Sequence, residues 1–455
     1  MLEKINLKFP KKPFKTNGGV KAPHRKNTAN CESVIMPAPK MVTIAMSQHI
    51  GAPCKPTVKV RDYVYVGSLI GKSDAFVSAP IHSSVSGTVK KIATIDMPSG
   101  ATVDAVIIES DGLMEVCPDI KPPVVENTQD LINAVKESGL VGLGGAGFPA
   151  YIKLMVPEGK KIDTLLINLA ECEPYITADH REAIENSVGV MNGINAVKKF
   201  LNIDRVIIGV EDNKPDVIKL LTELAENQSC GTDDEVRVLP LKARYPQGAE
   251  KVLVKACTNR IVGAGKLPSD VGCIVMNVTS IAFVANYLKT GMPLVTKRLT
   301  IDGSAIKEPK NVIVPIGTQI SEVIEFCGGY KTEAKKLLMG GPMMGIALKD
   351  DTLPILKQNN AILAFGEKEA KLDNPTECIR CGKCADVCPM NLYPPFISRA
   401  IKLKEYDKLE KNGVMTCMEC GSCAFNCPAK KPIVQNMRLG KTVLKEYKAK
   451  ESKEG

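Results

Sequence analysis

The sequence has few aromatic residues and no tryptophan, and these absences argue against one large class of proteins. Among 455 residues, phenylalanine, tyrosine and tryptophan together make up 4%, while the net charge is +10. A nucleic-acid-binding protein is expected to show a basic face interleaved with aromatic side chains that stack on bases. The basic residues here are mixed with acidic ones and lack such aromatic partners, so we expect no binding to nucleic acid.

Long apolar runs are also missing. No stretch approaches the ~18 residues that cross a bilayer as a helix, and the lysine- and proline-rich first residues lack the apolar core of a signal peptide. We therefore expect a soluble, cytoplasmic protein. Its mild basicity suits an anionic membrane surface or an acidic partner.

Cysteine, in contrast, is abundant, and its distribution indicates metal ligation rather than disulfides. Eight of the 16 cysteines stand singly and are interpreted mostly as buried thiols, whereas the other eight form two runs near the C-terminus. Both runs have the spacing Cys-x2-Cys-x2-Cys-x3-Cys-Pro. The first contains Cys378, Cys381, Cys384 and Cys388, and the second contains Cys417, Cys420, Cys423 and Cys427.

This spacing predicts two [4Fe–4S] clusters with crossed ligation, because the fourth cysteine of each run binds the other cluster in two-cluster ferredoxins. A zinc site is the alternative, but it needs only four sulfurs at two-plus-two spacing. Two clusters in one chain form a two-step path for electrons. One cluster is assigned to Cys378, Cys381, Cys384 and Cys427, and the other to Cys417, Cys420, Cys423 and Cys388.

A glycine-rich stretch at residues 139–153 is a second candidate site. Gly142, Gly144 and Gly147 have the spacing G-x-G-x-x-G, in which backbone N–H groups and a following helix can hold a phosphate. Alone this motif is weak. Residues 127–138 are predicted to form a capped helix rather than the strand that precedes such a loop in a dinucleotide-binding fold, so the ordinary Rossmann interpretation is disfavoured.

Strands and helices alternate between residues 126 and 291, which is typical of a parallel sheet covered on both faces. Ligands of such sheets bind beyond the carboxyl ends of the strands. The predicted strands are 162–168, 205–210, 235–239 and 272–277, and the predicted helices are 180–200, 214–226, 248–257 and 280–289. The polar phrases at strand ends are 168–174, 211–213 and 277–279.

Short β-rich runs separated by turns occupy residues 38–112. Residues 78–87 resemble the hairpin of barrel-sandwich domains that carry biotin or lipoate, but no lysine stands within residues 79–88. We therefore favour a structural β module over a swinging carrier arm. His82 is interpreted as a hydrogen-bonded turn residue rather than a ligand.

Taken together, these motifs resemble those of known flavoproteins. Residues 142–149 with Lys153 are similar to the flavin loop of the NADH-binding flavoprotein subunit of respiratory complex I. Residues 168–174 and 245–250 resemble that subunit's N-A-D-E-S-E-P and Y-I-C-G-E-E stretches. The order of modules along nearly the whole chain is most similar to the C subunits of Rnf complexes, which are membrane-bound ferredoxin:NAD⁺ oxidoreductases.

The resemblance implies an α/β multidomain fold. Its parts are a parallel-sheet flavin- and nucleotide-binding domain, an N-terminal barrel-sandwich-like β module, a small β-grasp domain and a C-terminal ferredoxin-like helical domain for two [4Fe–4S] clusters. The expected boundaries are 1–37 for an irregular arm that lies on another domain, 38–120 for the β module, 121–293 for the FMN- and NADH-binding domain, 294–350 for the β-grasp (soluble-ligand-binding) domain, 351–370 for a linker, 371–435 for the ferredoxin-like domain and 436–455 for a basic tail.

The resemblance also implies FMN and NAD(H), with a hydride passing between nicotinamide and flavin. Glu171 and Glu173 are the catalytic candidates, and Phe148 and Glu173 are expected to contact the nucleotide. The residues expected to line FMN are Gly142, Gly144, Gly145, Gly147, Lys153, Asn168, Glu171, Tyr245, Gly248, Glu250 and Asn277. Ala170 and Ala249 replace acidic residues of the complex I pattern, and Val156 stands where an aromatic side chain would help to sandwich adenine. These differences weaken the expected nucleotide binding more than the flavin site.

The implied function is electron transfer between NAD(H), FMN and the clusters, coupled through partner subunits to ion translocation. The implied partners are integral membrane and iron–sulfur subunits, with ferredoxin acting indirectly, and the implied location is peripheral, on the cytoplasmic face of the cell membrane. Two alternatives stay open. One is a soluble flavin and iron–sulfur cobalamin reductase of a microcompartment, and the other is a non-catalytic electron carrier or scaffold subunit.

Overall fold

The computed structural model describes residues 12–98, 100–228 and 236–454. Near the N-terminus of the chain, two antiparallel sheets form the β module. The sheets have the strand orders β2-β8-β7-β4 and β3-β5-β6. Alternate side chains of β2, including Val42 and Ile44, are buried between them. The strands up to residue 110 are β1 (Val34–Ile35), β2 (Met41–Ala45), β3 (Lys55–Pro56), β4 (Tyr63–Val64), β5 (Leu69–Lys72), β6 (Ile81–His82), β7 (Gly87–Asp96) and β8 (Thr102–Ser110).

The central domain is a four-stranded parallel sheet of order β11-β10-β9-β12 with helices on both faces. Its two central strands, β9 and β10, are largely apolar and buried, as expected for strands that are covered on both sides. The elements are α1 (Thr128–Glu137), α2 (Ala150–Leu154), β9 (Thr164–Leu169), α3 (Ala178–Glu185), α4 (Ser187–Leu201), β10 (Arg205–Glu211), α5 (Pro215–Gln228), β11 (Val236–Leu241), α6 (Glu250–Thr258), β12 (Cys273–Asn277) and α7 (Val278–Thr290).

One predicted helix of this domain is divided in two. The sequence predicts a single helix over residues 180–200, whereas α3 and α4 are separated at Asn186, whose backbone is not helical (φ −131°, ψ 35°). The Asn186 side chain donates to Glu182 Oε1 (2.7 Å), and Gly189 leaves room for it. Cys230 and Glu235, the first residue of a predicted strand, lie outside the described residues.

A six-stranded mixed sheet, packed against one helix, follows with the order β1-β14-β13-β17-β15-β16. The arm contributes the edge strand β1, and the segment expected to be a linker contains β17, which lies between β13 and β15. All five residues of β17 are buried, so this part of 351–370 belongs to the sheet. The elements are β13 (Thr296–Asp302), β14 (Lys310–Pro315), α8 (Ile320–Phe326), β15 (Lys336–Met339), β16 (Ile346–Leu348) and β17 (Ala361–Phe365).

Short helices surround the two cysteine runs in the C-terminal module. The segment expected to be a basic tail forms most of the last helix, whose Met437 and Leu444 are buried in an apolar core shared with Ile397. Within the described residues, no helix combines the length and apolarity needed to cross a membrane. The helices are α9 (Glu367–Ala370), α10 (Lys383–Asp386), α11 (Pro394–Lys402), α12 (Tyr406–Lys411), α13 (Ser422–Phe425) and α14 (Ile433–Glu454).

The arm, residues 12–37 in the described part, lies across the other modules rather than extending away. Phe14 N–H donates to Ala256 O of α6 (3.0 Å). Further along, β1 pairs in parallel with β14 of the mixed sheet. The arm is therefore attached at both of its ends.

Candidate flavin and iron–sulfur sites

The glycine-rich loop presents bare backbone at its tip. Gly142 N–H donates to Phe148 O (2.8 Å) and Gly147 N–H donates to Gly142 O (3.1 Å), which closes the loop. Residues 144–146 are exposed to solvent. Gly145 and Gly147 have φ values of +110° and +65°, which lie in the left-handed region that side chains disfavour. The exposed tip is thus open to a ligand that approaches the main chain.

Two buried lysines donate hydrogen bonds to backbone carbonyls of this loop. Lys297 Nζ donates to Leu143 O (3.0 Å), and Lys357 Nζ donates to Gly139 O (2.8 Å) and Pro80 O (2.6 Å). Burial lowers the pKa of Lys297 to about 8 and that of Lys357 to about 7. The two lysines fix the base of the loop while the tip stays free.

Two asparagines lie next to the loop at the carboxyl ends of neighbouring strands. Asn168 of β9 and Asn277 of β12 are direct register partners. Asn168 Nδ2 donates to Gly248 O (2.8 Å), and Asn277 Oδ1 accepts from Thr279 N–H (3.0 Å) and so caps α7. A Cβ on Gly144 would lie 2.9 Å from Asn277 Nδ2. The loop tip and the strand ends therefore border one space.

An ion pair borders the same end of the sheet. Lys153 Nζ lies 2.7 Å from Glu250 Oε1 and donates to Val275 O (3.1 Å). The two charged side chains remain 31% and 38% exposed. The structure therefore joins these two candidates to each other and leaves the ammonium accessible to an anion.

Glu171 caps a helix. Its carboxylate accepts from Asp179 N–H (2.6 Å) and His180 N–H (3.2 Å) at the start of α3. Burial raises its pKa, and the nearby Lys26 ammonium opposes that shift. The residue has a left-handed backbone (φ +47°). Its carboxylate is directed to the helix N-terminus.

Glu173 contacts the mixed-sheet module. Its carboxylate accepts from Met343 N–H (3.0 Å) and Met344 N–H (2.8 Å). Burial raises the pKa of Glu173 to about 7. A side chain at Gly341 would overlap the carboxylate, since a Cβ there would lie 2.3 Å from Glu173 Oε2. The expected contact of Glu173 with the nucleotide stays a prediction.

Tyr245 stands between the parallel-sheet domain and the cysteine module. The side chain is 2% exposed, and its hydroxyl donates to Cys420 O (2.6 Å). Tyr245 and Cys420 belong to one apolar cluster with Val20 of the arm, against which Cys172 and Met343 pack. This cluster joins the candidate flavin site to the second cysteine run.

The remaining candidates lie close to these groups. Gly248 N–H donates to Cys172 Sγ (3.3 Å), and a Cβ on Gly248 would be 3.3 Å from that of Ala170. Phe148 is half-buried after the loop tip. Val156 is 37% exposed and provides no aromatic surface for a base.

Four cysteines line a pocket in the C-terminal module, and they are the four that the spacing assigned to one cluster. The lining cysteines are Cys388, Cys417, Cys420 and Cys423. Burial, with the neighbouring thiols, raises the pKa of Cys423 to about 12. A pocket walled by four thiols fits a [4Fe–4S] cluster, which is bound through cysteine thiolates.

The other four cysteines are more exposed. Cys378 and Cys381 are exposed, whereas Cys384 and Cys427 are half-buried. Burial raises the pKa of Cys384, and the nearby Cys427 and Cys378 thiols add to that shift. No three His, Cys, Asp or Glu side chains of the described residues are arranged to hold a single metal ion.

Sequence reasoning missed several charged residues of the site. Asp179 accepts from Asn277 Nδ2 (2.7 Å) and from Thr279 Oγ1 (2.7 Å), and burial raises its pKa. Lys26 donates to backbone carbonyls of the segment that carries the two glutamates. An acid in the first turn of a helix is ordinary, and Lys26 is one of many lysines in the arm, so neither gave a signal.

Four family models match successive parts of the chain. They are the RnfC barrel sandwich hybrid domain (residues 14–113), the Nuo51 FMN-binding domain (135–286), the SLBB domain (298–347) and the 4Fe-4S dicluster domain (370–428). These matches confirm the predicted fold class and the predicted cofactor classes, FMN and [4Fe–4S] clusters.

Similar proteins of curated function cover nearly the same length. The C subunit of the Na⁺-translocating ferredoxin:NAD⁺ oxidoreductase complex of Acetobacterium woodii is 43% identical over 93% of this chain and 96% of its own. The C subunit of the proton-translocating complex of Clostridium ljungdahlii is 43% identical over 91% and 90%. The C subunit of the ion-translocating oxidoreductase complex of Rhodobacter capsulatus is 36% identical over 98% and 86%.

Proposed function

Because the chain belongs to the family of C subunits of Rnf-type, ion-translocating ferredoxin:NAD⁺ oxidoreductase complexes, we propose that it exchanges electrons between NAD(H) and the rest of such a complex. FMN accepts two electrons as a hydride and releases them singly, and each [4Fe–4S] cluster carries one. The match to an FMN-binding domain followed by a dicluster domain supports this function.

The observation that carries the flavin site is the convergence of three elements on one space. The exposed loop tip, Asn168 and Asn277 meet at the carboxyl end of the parallel sheet, which is where such sheets bind ligands. We infer that the loop backbone and the asparagine amides bind FMN, with Lys153 neutralising its phosphate. Glu250, already paired with Lys153 at 2.7 Å, orients that ammonium.

The role of the two glutamates follows from their contacts. Glu171 and Glu173 have their carboxylates engaged by backbone N–H groups, so each can position the segment between them. We propose that they shape the space in which the nicotinamide meets the flavin, with Phe148 against the nucleotide. Because Ala170 and Ala249 replace acidic residues of the complex I pattern, we expect the backbone of the glycine loop to contribute more to nucleotide binding.

The clusters are proposed to act in a fixed order. The pocket of Cys388, Cys417, Cys420 and Cys423 adjoins the parallel-sheet domain through the hydrogen bond from Tyr245 to Cys420. The other set includes the exposed Cys378 and Cys381. We therefore assign the pocket cluster as the neighbour of the flavin and the exposed cluster as the contact with a partner.

The partners and location are proposed from the family. The relatives are C subunits of multisubunit complexes, and we propose that integral membrane and iron–sulfur subunits bind this chain on the cytoplasmic face of the membrane, with ferredoxin acting through them. The match to the RnfC barrel sandwich hybrid domain at residues 14–113 favours this function over a cobalamin reductase, which is expected to begin near the glycine loop.

Two measurements test the proposal. Protein reconstituted anaerobically with FMN and iron–sulfur clusters should oxidise NADH with ferricyanide as acceptor, and this activity should fall when FMN is removed and return when it is added back. Expression together with the membrane subunits of the same complex should yield a complex that retains the chain in the membrane fraction. Absence of NADH oxidation indicates a carrier or scaffold, and recovery of an active chain that binds no other subunit indicates a soluble reductase.

A further inference from the structure

Two adjacent glycines of the arm lie where the parallel-sheet domain meets the cysteine module. Gly18 and Gly19 both have left-handed backbones, with φ of +65° and +79°. Gly19 N–H donates to Val387 O in the cysteine module (2.8 Å). One residue later, Val20 and Tyr245 exchange two backbone hydrogen bonds of 2.7 and 3.0 Å. The arm thus contacts both modules within two residues.

No side chain fits at either glycine. A Cβ on Gly18 would lie 2.7 Å from Val387 O and 2.7 Å from the carbonyl carbon of Cys388. A Cβ on Gly19 would lie 2.7 Å from Tyr245 O. All these neighbours are backbone atoms, which cannot move aside as the end of a flexible side chain can. The contact therefore requires glycine for its space as well as for its backbone conformation.

The residues beside this contact are the ones that line the cluster pocket. Cys388, which follows Val387, is one of the four pocket cysteines. Cys420, a second one, accepts the Tyr245 hydroxyl hydrogen bond at 2.6 Å. Arg244 Nη2 adds a hydrogen bond to Gly19 O (2.8 Å). The arm therefore touches the polypeptide that carries the pocket, with no other element between them.

Both flanks of the glycine pair are anchored. Upstream, Phe14 is hydrogen-bonded to Ala256 of α6. Downstream, Lys26 Nζ donates to the carbonyls of Glu171, Glu173 and Ile176 at 2.7, 2.9 and 2.5 Å. Because the arm is hydrogen-bonded on both sides of the glycine pair, it holds the edge of the cysteine module that the pair contacts.

We propose that Gly18 and Gly19 form a clasp that holds the cysteine module against the parallel-sheet domain and so sets the separation between the flavin site and the pocket cluster. These glycines are positioning residues that contact neither ligand. The rate consequence rests on the proposed function, whereas the clasp itself concerns contacts within the chain. Because electron transfer slows steeply as two centres separate, loosening the clasp should affect the step to the cluster and spare the flavin.

The test compares Gly18→Ala and Gly19→Ala with Gly112→Ala in the full-length, reconstituted protein. Gly112 is a matched control, since its φ is +76° and its Cβ would meet no atom within 4 Å. Hydrogen exchange of peptides containing Val20 and Tyr245, whose N–H groups donate hydrogen bonds in the clasp, is the structural readout. Stopped-flow absorbance after mixing with NADH gives the rates of flavin and cluster reduction separately.

Both clasp variants are expected to raise exchange at Val20 and Tyr245 by about 10-fold or more, because closing the contact then requires a strained residue. They should slow cluster reduction while FMN content and flavin reduction stay unchanged. Gly112→Ala should match the wild type in every measurement. Wild-type exchange in the clasp variants, or the same increase in Gly112→Ala, overturns the proposal.

The comparison also distinguishes failure of the proposed function, and failure of a variant to fold, from failure of the clasp. If NADH does not reduce the wild-type flavin, the proposed function fails, and the exchange comparison alone still decides the clasp. If the alanine variants do not fold, Arg244→Met removes the 2.8 Å hydrogen bond to Gly19 O without straining the backbone. A smaller rise in exchange at the same peptides then supports the clasp, and none at all overturns it.

Discussion

Replacing Gly145 by alanine should weaken FMN binding more than replacing Gly142 does. Gly145 has φ +110° at the exposed tip of the loop, where alanine is strained. Gly142 is not in the left-handed region, and a Cβ there would meet Phe148 at 3.7 Å, an ordinary contact directed into the loop. The two glycines therefore form a matched pair within one loop.

The size of the effect follows from the backbone strain. Because the tip is exposed, the loop of the variant can relax when it is empty, and FMN must then restore the strained conformation. A residue held in such a conformation costs about 1–3 kcal/mol. At about 1.4 kcal/mol for each tenfold change, the dissociation constant for FMN should rise roughly 5-fold to 140-fold.

Quenching of flavin fluorescence during titration of the flavin-free protein measures this constant, and iron analysis of the same samples measures the clusters. The loss should be confined to the flavin, because the cysteine pocket is formed by other residues. Equal FMN affinity in Gly145→Ala and the wild type, or a larger loss in Gly142→Ala, would refute the reasoning.

Two further predictions concern the cysteines and the buried glutamate. Cys384→Ser and Cys427→Ser should abolish the same electron paramagnetic resonance signal, whereas Cys388→Ser and Cys423→Ser should abolish the other one. Each variant should keep about four of about eight irons. Loss of the same signal in Cys384→Ser and Cys388→Ser would contradict crossed ligation. Burial raises the pKa of Glu173 from 4.5 to about 7, so the folded state retains a proton that the unfolded state releases, and stability should fall as the pH rises through this window. Glu173→Gln cannot ionise, so its melting temperature relative to wild type should rise between about pH 4.5 and about pH 7, and an unchanged difference contradicts the shift.

The parallel-sheet domain was predictable because its signals are local. Strands buried on both faces are continuous apolar runs between turn residues, and the strand predicted at 205–210 is β10 at Arg205–Glu211. The rule that ligands bind at the carboxyl ends of parallel strands also directed attention to Asn168 and Asn277. The structure adds that these two are register partners, which depends on the order of strands in the sheet.

The features that the sequence did not reveal depend on distant partners. The apolar run of β17 does not indicate which strands it pairs with. In the structure it lies between β13 and β15 and pairs with both. The contact of Glu173 likewise depends on the turn at Met343, which is 170 residues away along the chain. Periodicity carries no information on such long-range placement.

The arm provides the strongest case of this kind, and it leads to a last prediction. A protein that begins at residue 38 lacks no residue of the glycine loop or the cysteine runs, so the sequence alone suggests an intact core. In the structure, however, Lys26 is the donor to the carbonyls of Glu171, Glu173 and Ile176, and β1 covers the edge of β14.

Each buried carbonyl left without a donor costs about 1–3 kcal/mol, and removal of the buried ammonium offsets part of that cost, since burial lowers the pKa of Lys26. The shortened protein should therefore lose FMN affinity and show faster exchange at residues 171–176. Lys26→Met in the full chain is the control. It removes the three Lys26 hydrogen bonds but keeps the clasp and the hydrogen bond from Tyr175 N–H to His24 O (2.9 Å). Exchange should therefore rise at residues 171–176, though less than in the shortened protein, and stay unchanged at Tyr245. If the shortened protein binds FMN as tightly as the wild type, or if Tyr245 exchanges equally slowly in it, the arm is a covering of the site and not a part of its framework.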